Sequence, residues 1–155
     1  MSENKWTHKK LVRRMANWLK YTKRMTVVIS ELSTQSGETP DVIGWVGSLA
    51  GSVLIECKIS KSDFRADSKK WFRRHEEYGI GDQRYIAAPK GLLQINEIPD
   101  GWGFLEAGNR SIREIRPAES KQANKRSECV ILMSALRRLE ISTAVYVVCE
   151  EETEF

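Results

Sequence analysis

The chain has 155 residues, 41% of them hydrophobic and 30% charged, with a formal net charge of +4. That is the size of one domain with its own core, spanning the whole 1–155 range. With no repeat, low-complexity linker, signal-like start or apolar run of membrane-spanning length, the composition argues against repeat-array, disordered, secreted and integral-membrane classes. Cys57, Cys129 and Cys149 are odd in number and set in apolar runs, and with His8 and His75 they lack zinc-site spacing. Reduced, buried thiols in a cytoplasmic protein are the expectation.

Leu11, Met15, Trp18 and Leu19 recur at helical spacing and predict a first helix over 7–21. Residues 25–32, with Val27, Val28 and Ile29, read as a strand that Glu31 nearly closes. Residues 41–46 and the run from Val53 onward flank a glycine-rich stretch and form a β-hairpin. Alternation puts Val53, Ile55, Cys57 and Ile59 on a core face and Leu54, Glu56, Lys58 and Ser60 on a charged one. Val42, Gly44 and Val46 join the core face. Pairing Val46 with Val53 sets Asp41 opposite Lys58 and Ile43 opposite Glu56, with Asp41 diagonal to Glu56.

Ser60, Ser62 and Asp63 make a capped helix start. The helix is expected to run to about residue 78, with Phe64, Trp71, Phe72 and His75 inward and Lys70 or Tyr78 within reach of Glu56. Residues 83–88 return as a strand parallel to the one carrying Glu56. Strands over 103–107 and 112–116 form a hairpin whose tip carries Arg110. A helix over 122–139, with Cys129, Leu132, Met133, Leu136 and Leu139 inward, precedes a strand over 143–149 and an acidic tail over 150–155. The fold class is therefore α/β, a mixed central sheet with one parallel crossover, flanked by helices.

An acid and a base side by side at the end of a buried strand are costly to desolvate, which favours a function for them. Asp41 and Glu56 offer oxygen ligands to a hard cation such as Mg²⁺, with Mn²⁺ able to substitute and the backbone carbonyl of Cys57 as a further ligand. The reaction that suits them is phosphodiester hydrolysis, with Lys58 orienting the attacking water or offsetting charge on the phosphate. The alternative is a solvated cross-strand charge ladder. Basic residues crowd the first helix, from Lys9 and Lys10 to Arg24, and the helix after Glu56, where Arg65, Lys69, Lys70, Arg73 and Arg74 stand. With Arg110 they suit the phosphates of DNA, and equally the solvated faces of amphipathic helices.

Asp41 behind Pro40, with Glu56-Cys57-Lys58, resembles the PD-(D/E)XK nuclease superfamily, whose core is a helix, three strands, a helix and a further strand. The run from Glu56 to Asp67, then Lys70-Trp71, looks like the MmcB-like DNA repair family and related phage or prophage nucleases. The likeness continues through 84–89 and 99–103 and covers about half the chain; Cys57 stands where that family usually has a branched residue. The resemblance implies a restriction-endonuclease-like core and a Mg²⁺-dependent DNA endonuclease of repair, recombination or phage DNA processing. It also implies Glu31 as a third acid, from the element before the aspartate strand. The cytoplasm, or its nucleoid, is the expected location, in the host if phage-encoded. A homodimer is left open, since many of these nucleases cut both strands as dimers. A DNA-binding accessory module without turnover and an RNA-directed nuclease of defence or counter-defence are the alternatives.

Overall fold

The computed structural model describes residues 5–32, 39–47, 51–67, 69, 75 and 79–139. The Thr7 hydroxyl accepts from the Lys10 N–H at 3.2 Å and caps helix α1 (His8–Asn17). A π-helical turn (Trp18–Thr22) prolongs it. Leu11, Met15, Trp18 and Leu19 are buried, as their spacing predicts.

Six strands follow among the described residues: β1 (Val27–Ser30), β2 (Val42–Trp45), β3 (Ser52–Cys57), β4 (Gln83–Pro89), β5 (Gly103–Ala107) and β6 (Ile112–Arg116). They form one sheet in sequence order. The two outer pairings, β1 with β2 and β5 with β6, are antiparallel, as is β2 with β3, while β3, β4 and β5 run parallel. There are thus two parallel crossovers where the sequence suggests one. Helix α2 (Lys61–Asp67) lies in the first, and a 3₁₀ turn (Ile95–Glu97) lies in the second. The mixed sheet flanked by helices is the expected fold class.

Every residue of β3 is buried, because the sheet is covered on both sides. Leu11 and Met15 of α1 and Leu19 of the π-helical turn pack on Val42, Val53, Ile55, Tyr85 and Leu105. On the other side Ile43, Leu54, Ile86 and Phe104 meet Trp102, Ile98, Ile80 and Ile131, the last from helix α3 (Lys125–Arg138). The face expected to carry charge is therefore apolar at Leu54, and charge is confined to its ends. Val46 lies past β2 and is exposed, not core.

The hairpin register differs from the expected one by two residues. Val42 pairs with Ile55 and Gly44 with Val53, because Val46 N–H reaches the Gly51 carbonyl at 2.8 Å and the connection is shorter. Asp41 consequently stands opposite Glu56, not Lys58, and Ile43 opposite Leu54. Since side chains alternate with a period of two, a slip of two leaves every residue on its expected face.

Helix α3 departs more. Its buried residues are Glu128, Ile131 and Ser134, while Met133, Leu136 and Leu139 are exposed, as is Cys129, which was expected to be buried. The cause is Glu128, whose carboxylate accepts from Trp45 Nε1 at 2.9 Å, Ser52 Oγ at 2.6 Å and Gly81 N at 2.9 Å. Satisfying a carboxylate in the interior takes precedence over burying methionine and leucine. Gly81 permits this approach: at φ +83°, a Cβ there would lie 2.6 Å from Leu54 Cβ. The helix expected through residue 78 is described only as Lys61–Asp67; Trp71, Phe72 and Tyr78, and the strand expected over 143–149, lie outside the described residues. No helix among the described residues is long and apolar enough to cross a membrane.

Candidate active site

Because β3, β4 and β5 are parallel, their carboxyl ends share one edge of the sheet, the edge where α/β proteins commonly bind ligands. Asp41, Glu56 and Lys58 are all there. Val46 and Gly51 form a hydrogen-bonded pair, and such pairs alternate along an antiparallel ladder. Carried one residue past β2, the register sets Asp41 beside Glu56.

Glu56 is 2% exposed and Lys58 3% exposed. The Lys58 ammonium lies 3.4 Å from Glu56 Oε2 and 3.1 Å from Asp67 Oδ1. Burial would lower its pKa, but Glu56 and Asp67 more than offset that, and the net shift is upward. Lys58 thus stays an ammonium and is not a solvated rung of a charge ladder. Asp67 was not anticipated. It lies in the last turn of α2, whose start is set by Ser60 Oγ accepting from Asp63 N at 3.1 Å. Its signal in the sequence is its place three residues after Phe64, which faces the core.

Opposite Cys57 the register places Pro40, which has no N–H for the ladder. The Cys57 N–H donates to Asp41 Oδ2 at 2.7 Å, which fixes the aspartate. The Cys57 carbonyl points to the same side as its N–H, toward Pro40. Burial, then the charges of Asp41 and Glu56, push the Cys57 thiol well up, so it stays protonated.

His8, at the first position of α1, is a second residue the sequence did not assign. Its Nε2 is 3.3 Å from Asp41 Oδ1, and its Nδ1 is 3.7 Å from Glu31 Oε1. Glu31 leaves β1 at φ +53° and donates its N–H to the Asp41 carbonyl at 3.0 Å. It is half exposed and meets the site through His8. Among the described residues no group of three His, Cys, Asp or Glu side chains is placed so that it could hold a metal ion. Asp41 and Glu56 are oxygen donors of the kind Mg²⁺ takes, one or two carboxylates with water and phosphate completing its shell.

Of the basic residues expected to meet DNA, Lys69 is exposed just beyond α2, and Arg110 is exposed in the β5–β6 turn. Lys70, Arg73 and Arg74 lie outside the described residues. His75 is described and half-buried.

No family model and no curated protein matches the chain. Among solved structures it is similar to the SPO1766 protein of unknown function from Silicibacter pomeroyi. The likeness has a TM-score of 0.66 and 24% identity, over 90% of this chain and 92% of that one. At that identity the two share a fold.

Proposed function

We propose that the carboxyl end of β3 is the centre of a Mg²⁺-dependent endonuclease acting on DNA. The observation that carries this reading is the presence of Asp41 and Glu56 at one strand end, Asp41 held by the Cys57 N–H and Glu56 beside a buried, charged Lys58. Mg²⁺ held by such a pair polarises a phosphate and lowers the pKa of a bound water. Asp41 and Glu56 would hold it, and the Cys57 carbonyl stands beside them as a further oxygen.

The protein's own groups divide the remaining work. Lys58 cannot accept a proton, since its neighbours raise its pKa. It donates hydrogen bonds instead, either to the attacking water or to the phosphate oxygens as charge builds on them. Asp67 fixes where that ammonium points, so no reorganisation is needed when charge develops. The Cys57 N–H and His8 orient the two oxygens of Asp41. Exposed cations at Lys69 and Arg110 suit the phosphate backbone.

The test is a panel of duplex, single-stranded and branched DNA and of RNA, incubated with Mg²⁺ or Mn²⁺ and with chelator. DNA cleavage that chelator abolishes and that Asp41→Asn lacks is the expected result. No cleavage of any substrate, or equal cleavage by Asp41→Asn, would overturn the reading.

A further inference from the structure

The carboxyl edge of the sheet carries a second arrangement, away from the acids. A cleft of about 330 Å³ is lined by Arg14, Asn17, Trp18, Thr22, Arg110 and Ile112. It lies where the end of α1 meets the β5–β6 turn. Arg14 Nη1 donates to the carbonyl of Gly108 and, at 3.5 Å, to that of Asn109, which fixes the guanidinium while leaving Nε and Nη2 available. The Asn17 amide, the Thr22 hydroxyl and the Arg110 guanidinium have no hydrogen-bond or ion-pair partner among the described residues.

No acid among the described residues lines the cleft. Glu114, on the same side of the sheet, is occupied by Tyr85 Oη at 2.6 Å and Lys23 Nζ at 3.3 Å. Trp18 is fixed edge-on against Tyr85, with ring centroids 5.9 Å apart, and gives the cleft a rigid wall. Two guanidiniums, an amide and a hydroxyl around one small space supply many donors and no carboxylate, which is the chemistry of a phosphate site.

Its position specifies whose phosphate. α1 runs along the edge from His8, which touches Asp41, to Arg14, which touches Gly108. At about 1.5 Å per residue, that places Arg14 and Asn17 roughly 9 and 14 Å from His8 along the helix. The step from β3 to β6 gives a similar figure of about 14 Å. Phosphates of one strand advance about 3.4 Å per nucleotide along a duplex. We propose that this cleft seats a backbone phosphate of the nucleic-acid strand, a few nucleotides at most from the bond at the acid cluster. The inference rests on the nucleic-acid part of the reading above.

The experiment is binding of a labelled DNA duplex to the full chain in chelator, where no cleavage intrudes. Arg110→Glu, an exposed turn substitution that spares the core, should weaken affinity about tenfold or more. It should also reduce the slope of log affinity against log salt by about one phosphate. Thr22→Val should weaken binding several-fold at an unchanged slope, having removed a donor but no charge. Unchanged affinity and slope in Arg110→Glu would overturn the subsite. Inorganic phosphate supplies the same chemistry without a strand. If it shifts the Thr22 and Arg110 amide resonances at concentrations where the duplex leaves them unmoved, the cleft serves a free phosphate and the backbone assignment fails. Should wild type never cleave yet bind in an Arg110-dependent, salt-steep manner, the hydrolytic reading falls and this subsite stands. Cleavage with an affinity indifferent to Arg110 does the reverse.

Discussion

Strand β3 ends in buried charge at both of its termini, and the two ends are built differently. At the amino end Ser52 sits among Glu128, Asp82 and Lys125. Glu128 accepts from an indole, a hydroxyl and a backbone N–H, and Asp82 from the N–H groups of Ser52 and Ala123 at 2.9 and 3.1 Å. Lys125 reaches Asp82 at 2.6 Å and Glu128 at 3.2 Å. At the carboxyl end Asp41, Glu56, Asp67 and Glu31 gather around one lysine and one histidine. The first cluster matches acids to donors and closes the core under α3. Among the described residues the second sets four acids, two of them buried, against one lysine and one histidine. Similar burial thus serves structure at one end and is assigned chemistry at the other.

The largest effect that sharpens this contrast is at Glu128. Glu128→Ala strands the Trp45 indole N–H and the Gly81 N–H in the interior and leaves the Ser52 hydroxyl only Asp82 to donate to, at a cost of about 3 kcal/mol or more. A chain of this size should then melt on the order of 10 °C lower in a thermal scan. Mg²⁺ should act on the opposite end. At about ten times its dissociation constant it adds roughly 1.4 kcal/mol to wild type, seen as a rise of a few degrees in melting temperature. Asp41→Asn should show almost none of that rise, and equal rises would break the contrast.

The pH dependence of stability separates the ends further. Burial would raise the pKa of Asp82, but Lys125 and the Ala123 and Ser52 N–H groups outweigh it, leaving a net shift below the ordinary 3.8. A carboxyl whose folded pKa is lowered contributes stability that is complete above its unfolded value and lost as pH falls through the folded one. Acid titration of the melting temperature should therefore show a limb below that ordinary value, flattened in Asp82→Asn. Removing the single Trp45 Nε1 bond by Trp45→Phe should have the smallest effect, about 1 kcal/mol by denaturant unfolding.

How much of this was legible in the sequence follows from which rules are local. The period of two in β3 fixed the faces of Glu56 and Lys58, and parity survived a hairpin register wrong by two residues. The turn residues do not set loop length, so the expected register pairs Asp41 with Lys58, two residues away from the register of the structure. Asp67 and His8 come from helices on opposite faces of the sheet, and their meeting at one strand end depends on tertiary packing that spacing does not encode. In α3 nearly every residue from Cys129 to Leu136 can be buried. The choice of face is made by one glutamate against an indole more than eighty residues earlier. Periodicity alone chose the face with more methionine and leucine.

Glu56 and Glu128 are each 2% exposed, one at either end of the same strand, so the matched pair of variants isolates what distinguishes the ends. Single-turnover DNA cleavage with Mg²⁺, measured beside a melting curve for Glu56→Gln and Glu128→Gln, tests the account most directly. Glu56→Gln should melt close to wild type yet cleave on the order of a hundredfold or more slower. Glu128→Gln should melt well below wild type, while its folded fraction cleaves at the wild-type rate. Wild-type cleavage by Glu56→Gln, or the same loss of rate in both variants, would contradict the assignment of chemistry to the carboxyl end.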